Sequence, residues 1–351
     1  MIVRMRSRVK LTLAVLTAAS GAIGGPLTTA RAQTPIELKV ADSLPSGHSN
    51  HRLILKPWMD DVEKATGGKV KFKHFPGEQL GKAKDILMLT QSGVIDVGYI
   101  VPAYASDKMP LSSALELPGM FTNLCQAFAT YWDLSHNGGY LEQKEYGPNG
   151  VVPLLHFMTP NYQIQIGVDR KVASLKDMQG LKIRTAAGSL EFLAKNLGLV
   201  PVRVSPPEMY EALTRGTIDG LMLGYQSSVN YSLTKLIKSG TVNINLGTVV
   251  LTFSIAKNRL AQLPADVQKA MLDLGEKHTK TDCKAYEAEE VEAVAAMRKD
   301  GMQPIDLGPE DRATLEKLFE KARDEWVDSL EKRGKPGKEA LAAVRAKLAK
   351  Q

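Results

Sequence analysis

Arg184 is the residue best placed to do chemistry in this chain. It sits in Gly180-Leu181-Lys182-Ile183-Arg184-Thr185, whose alternating apolar residues predict a strand that delivers the guanidinium to its carboxyl end. A helix-like run at 190–197, a short strand at 201–204, a helix at 206–213 and a turn at 216–220 into a third strand follow. Open α/β sheets hold ligands at the carboxyl ends of their strands. An arginine there can grip a carboxylate through two parallel hydrogen bonds. The chemistry predicted is capture of a small anion, held rather than transformed.

Catalytic patterns are missing. No G-x-S-x-G, H-E-x-x-H, P-loop or C-x-x-C occurs, and the G-x-G-x-x-G nucleotide fingerprint is absent. His48 and His51 share i, i+3 spacing but have no matching cysteine or histidine partners, so they read as a polar first turn or pocket rim. The other histidines are scattered, and Glu289, Glu290 and Glu292 form an acidic helix face. No enzyme activity, metal or cofactor is expected.

The 351 residues allow two domains. Residues 1–32 read as a secretory signal: Arg4, Arg6, Arg8 and Lys10 precede an apolar stretch at 11–23, and Ala30-Arg31-Ala32 offers a cleavage site. An N-terminal membrane anchor is the alternative, but the apolar stretch is short for a span. Without those residues the chain keeps 40 basic against 38 acidic side chains, a net charge of +2 instead of +7. Nucleic-acid binding thereby loses its compositional support. Cys125 and Cys283 are the only cysteines; an oxidising compartment permits a disulfide, while helix-like apolar surroundings equally suit two free core thiols.

Strand, helix, strand, helix and a G-x-I-D turn recur twice. Strands are expected at 36–40 and 69–74, helices at 51–66 and 84–91, then Gly93-Val94-Ile95-Asp96; the same order ends in Gly216-Thr217-Ile218-Asp219. Alone, each G-x-I-D is turn chemistry; its recurrence predicts two similar lobes. Further strands are expected at 151–156, 164–168 and 249–256, one long helix at 267–299, and helices at 309–332 and 338–350, the last a basic, solvated face.

With these elements in order, the chain resembles the solute-binding proteins of tripartite ATP-independent periplasmic (TRAP) transporters, the DctP-like group. The resemblance rests on Ser43-Leu44-Pro45-Ser46-Gly47-His48, Thr66-Gly67-Gly68-Lys69-Val70, Gln79-Leu80-Gly81, Gly93-Val94-Ile95-Asp96, Leu117-Pro118-Gly119-Met120-Phe121, residues 180–184 and residues 216–220. It implies an α/β, two-lobed periplasmic-binding-protein-like fold of type II, with a ligand cleft between lobes and long C-terminal helices. Lobe I would be 33–161 plus 250–289, and lobe II 162–249 plus 290–351.

Arg184, which read alone could equally serve a surface ion pair, matches the family's carboxylate-binding arginine. Many members carry a second arginine where this chain has Gln163, and an asparagine where it has Leu223. One charge and one amide are thus replaced, and Tyr99, Tyr104, Met158, Tyr162, Met222 and Tyr225 are expected to add apolar lining. Ser49, with the rest of 43–49, and Gln79 would shape the distal end. A monocarboxylate with an apolar or aromatic body fits better than a hydroxylated sugar acid. The implied protein is a monomeric periplasmic receptor that closes on an organic acid and docks on a small and a large TRAP membrane subunit. An extracytoplasmic sensor or a secreted enzyme on the same cleft are the alternatives.

Overall fold

The computed structural model describes residues 34–186 and 188–350; the expected signal segment lies outside them. In chain order the strands are β1 (Ile36–Ala41), β2 (Val70–Phe75), β3 (Val97–Ile100), β4 (Val151–Met158), β5 (Gln163–Ile166), β6 (Lys182–Thr185), β7 (Val200–Arg203), β8 (Gly220–Leu223), β9 (Ser239–Thr241), β10 (Val250–Ala256) and β11 (Gln303–Ile305). They form two sheets, ordered β2-β1-β3-β10-β4 and β11-β9-β5-β8-β6-β7.

Each sheet has the same heart. In the first, β2, β1 and β3 run parallel and β10 joins antiparallel. In the second, β7, β6 and β8 run parallel and β5 joins antiparallel. The antiparallel strand of each sheet arrives by a crossing: β5 follows β4 of the first sheet, and β10 follows β9 of the second. All seven residues of β10 are buried, as expected for a strand packed on both faces.

The repeated turn explains this likeness at atomic level. Asp96 Oδ2 accepts from Lys39 N and Asp219 Oδ2 from Lys182 N, both at 2.8 Å. Lys39 Nζ donates to Val94 O at 2.5 Å, and Lys182 Nζ to Gly216 O at 2.6 Å. Gly93 and Gly216 hold φ of 76° and 67°, a left-handed conformation that glycine adopts without the steric cost of a Cβ. Each aspartate therefore ties the entry of one parallel strand to its neighbour, β3 to β1 and β8 to β6.

Helices cover the sheets through apolar stripes. Trp58 on Lys56–Ala65 is fully buried against Ala265–Thr281, its Nε1 donating to Met271 O at 3.1 Å. Gly275 lets that second helix approach β4: a Cβ there would lie 2.0 Å from Leu154 O.

Three features differ from the sequence-based expectation. The single helix at 267–299 is two helices, Ala265–Thr281 and Cys283–Lys299, broken at Asp282, whose carboxylate pairs with His278 Nδ1 at 2.9 Å. Strands β9 and β11 were not foreseen; at three residues each they carry no periodicity to read. The C-terminal helix Gly337–Leu348 packs against Leu124–Ser135 and the turn Leu111–Glu116, elements beside the first sheet, whereas Pro309–Lys332 packs on Leu190–Asn196 beside the second. Its buried Ala340, Leu341 and Val344 explain that docking. Cys125 and Cys283, left open by the sequence, form a disulfide with Cα atoms 5.0 Å apart, joining Leu124–Ser135 to Cys283–Lys299.

Candidate functional site

Strand β6 alternates its side chains, and Arg184 near its carboxyl end turns into a cavity between the two sheets. The side chain is only 1 % exposed. Its Nε donates to Val204 O at 3.0 Å and Nη2 lies 3.5 Å from the Tyr104 hydroxyl. Nη1 has no partner, and no carboxylate pairs with the guanidinium among the described residues. A buried cation without a counter-charge costs several kcal/mol in desolvation. Such an arrangement is suited to receiving an anion.

Tyr162 and Tyr104 stand beside Arg184. Burial pushes the Tyr162 hydroxyl up to about 12 against the opposing pull of the Arg184 charge, so it stays a neutral hydrogen-bonding group. The same two influences act on Tyr104, whose titration is also raised by burial.

The facing wall comes from the loop after β1 and the end of β3. His48 is buried, and burial lowers its pKa to about 3, with Arg52 adding to the effect. The Asn50 backbone N–H donates to His48 Nδ1 at 3.1 Å, and Asn50 Nδ2 donates to the Tyr99 hydroxyl at 3.1 Å. The Tyr286 hydroxyl donates to Asn50 Oδ1, completing the chain. Tyr231 meets the His48 ring edge-on, with centroids 5.2 Å apart.

The cavity measures about 40 Å³ and is mainly apolar between these groups, with Leu223, Met209, Val249 and Leu251 among its walls. Tyr104 also lines a larger recess of about 740 Å³, flanked by Glu78, Lys82, Asp107, Arg203 and Glu208, so it stands between the cavity and the outer cleft.

Of the residues singled out in the sequence, Arg184, Tyr162, Tyr104, Tyr99 and Leu223 meet in this cavity. Four do not. Gln163 follows Tyr162 and points the other way, its Nε2 donating to Ile244 O at 2.6 Å and its Oε1 accepting from Thr241 Oγ1 at 3.0 Å. It lines a separate cavity of about 370 Å³ together with Met158 and Tyr225. Met222 precedes Leu223 on β8 and so falls on the opposite face, paired with Ile164. The backbone N–H and the hydroxyl oxygen of Ser49 are both engaged by Asn230. Gln79 is exposed and borders none of these cavities. His48, which the sequence offers as a polar first turn or pocket rim, lines the cavity; Asn50, Met209, Ser227 and Tyr231 line it too, and no local signal in the sequence marks them.

Two α/β sheets sharing the same core pattern, with buried polar groups around a small cavity where their strand ends face, give the two-lobed architecture of a solute-binding receptor. The profile of the bacterial extracellular solute-binding protein family 7, DctP, matches residues 40–329, and the chain belongs to that family. It is thus a receptor of the TRAP type, and family members capture small solutes outside the cytoplasm for partner subunits in the membrane. No described helix is long and apolar enough to cross a membrane.

A solute-binding protein of Albidiferax ferrireducens is 24 % identical over 312 residues, covering 86 % of this chain and 89 % of the relative. A TRAP solute-binding protein from Rhodoferax ferrireducens, solved with copurified benzoate, superposes with a TM-score of 0.82 at 22 % identity, covering 90 % of this chain and 98 % of that one. A TRAP solute-binding protein from an unidentified marine microbe, described as specific for aromatic acids and solved with metahydroxyphenylacetate, gives 0.81 at 22 % identity, covering 90 % and 99 %.

Proposed function

We propose that this receptor captures an organic monocarboxylate with an apolar or aromatic body, and that Arg184 binds its carboxylate. The observation that carries the reading is the buried Arg184 guanidinium, with Nη1 unpartnered and no carboxylate paired with it among the described residues. The tyrosines and aliphatic residues around it supply the surface an aromatic ring would cover. The benzoate and metahydroxyphenylacetate bound by the two structural neighbours have this chemistry.

Binding needs motion. A cavity of about 150 Å³ is known to admit a benzene ring, and the present one is about 40 Å³. The halves carried by the two sheets must part to admit the ligand and then close on it. Groups from both walls touch the ligand together only when shut, and that differential contact shifts the equilibrium toward the closed form. The closed, monomeric receptor then docks on a small and a large membrane subunit in the periplasm, where the 1–32 segment directs it.

Calorimetry with an acid found by thermal-shift screening tests the reading. Truncating one partner of a buried charge pair costs about 2–5 kcal/mol, so Arg184→Ala should weaken binding roughly 30- to several-thousand-fold. An unchanged affinity removes Arg184 from the site.

A further inference from the structure

The wall facing Arg184 is not merely apolar. It carries two donors whose direction is set by Asn50, through its backbone N–H for one and its side-chain amide for the other. Because the Asn50 amide N–H donates to His48 Nδ1, that nitrogen is an acceptor, and in the neutral ring the proton sits on Nε2. Among the described residues nothing accepts from Nε2, and His48 lines the cavity. Asn50 acts again through its side chain. Its Oδ1 is occupied by the Tyr286 hydroxyl, so its Nδ2 donates to Tyr99 and leaves the Tyr99 proton free to point elsewhere. Tyr99 lines the same cavity. Neither group offers charge: the buried imidazole stays neutral and the phenol is held well above its ordinary range by burial. Behind them the Asp42 carboxylate is buried, hydrogen-bonded to His74 Nε2 at 2.7 Å, on the side of the cavity away from Arg184 where no cationic side chain lines the wall among the described residues.

We propose that His48 Nε2–H, supported by the Tyr99 hydroxyl, is a specificity-determining donor pair that recognises a neutral oxygen acceptor on the ligand. The substrate class narrows to monocarboxylates that also carry a hydroxyl or keto oxygen. A second carboxylate would be buried against uncharged donors with Asp42 nearby, and it is rejected. This rests on the carboxylate reading for Arg184 and deepens it.

The test is calorimetry at neutral pH with benzoate, 3-hydroxybenzoate, 4-hydroxybenzoate, isophthalate and terephthalate. One neutral hydrogen bond corresponds to a preference of roughly 3- to 10-fold, and the better hydroxybenzoate should exceed benzoate by that factor. Both dicarboxylates should bind more weakly than benzoate. In His48→Phe the ratio between hydroxybenzoate and benzoate should fall to about one. His48→Gln, whose amide nitrogen can replace Nε2–H, should keep the preference and guards against a misfolded His48→Phe. A ratio unchanged in His48→Phe, or a dicarboxylate that binds tightest, overturns the proposal. If benzoate binds the parent protein with no gain from a hydroxyl, the donor pair is refuted while the Arg184 reading stands. If no acid binds, both fall.

Discussion

Ser49 and Asn230 hold each other across the cleft. Ser49 N donates to Asn230 Oδ1 at 3.2 Å, and Asn230 Nδ2 donates to Ser49 Oγ at 2.6 Å. Ser49 follows the His48 loop of the first sheet; Asn230 ends the helix Tyr225–Asn230 that leaves β8 of the second. Neither residue lines the cavity, so the pair acts as a latch on the closed form. Two neutral hydrogen bonds contribute about 1 kcal/mol each. Asn230→Ala should therefore weaken acid binding by up to roughly 30-fold and raise the dissociation rate, measured by stopped-flow fluorescence. Affinity and dissociation rate both unchanged would show that closure does not depend on this contact.

Arg184 burdens the unliganded protein. An unpaired buried charge is destabilising, and replacing it with a hydrophobic side chain of similar length relieves that cost. Arg184→Met should raise the thermal midpoint without ligand and abolish the midpoint increase on adding an acid. A lowered midpoint that still rises with acid would mark the guanidinium as structural.

Glu116 gives a pH signature. It is fully buried; Oε1 accepts from Val250 N at 3.1 Å and Oε2 has no partner. Burial pushes its carboxyl up to about 7, partly offset by the Val250 N–H and the nearby Ser113 hydroxyl. Between the ordinary value of 4.5 and about 7 the folded chain binds more protons than the unfolded one. This group's contribution is thus fully present in acid and lost as pH rises through about 7, by up to roughly 3 kcal/mol. Glu116→Gln removes the ionisation, so the midpoint of the E116Q protein relative to the parent should climb from pH 5 to pH 8. A difference independent of pH would refute the assignment.

Gly275→Ala should destabilise the fold by roughly 1–3 kcal/mol, the usual cost of overpacking a close contact. The added methyl would press on Leu154 O in β4, a backbone atom that cannot rotate away. Urea unfolding measures the loss; a midpoint within error of the parent's means the helix shifts freely.

What could be read from the sequence follows the range of the interactions. Gly93-Val94-Ile95-Asp96 and its counterpart at 216–219 were legible because turn chemistry is local, and the structure gives both aspartates one role. Arg184 and Tyr99 were legible because a strand's carboxyl end is recognisable. Strand parity places Met222 and its neighbour Leu223 on opposite faces of β8, so Leu223 excludes Met222, whereas Gln163 opens β5 and is held away by its bonds to Ile244 and Thr241, which only the fold supplies. Ser49 was chosen one residue away from His48, the side chain that reaches the cavity. Tyr231, Met209 and Asn50 join it only through the meeting of distant segments, and the Cys125–Cys283 pairing depended on two helices the sequence could not dock.

The placement of β10 has a consequence for the nascent chain. It sits between β3 and β4, yet it is made after every strand of the other sheet except β11. A truncation ending near residue 162 leaves β3 and β4 with open, apolar edges and no partner between them. The first sheet is complete only once residue 256 has been made, and the second only once β11 has, which favours slow, concerted folding of the whole polypeptide.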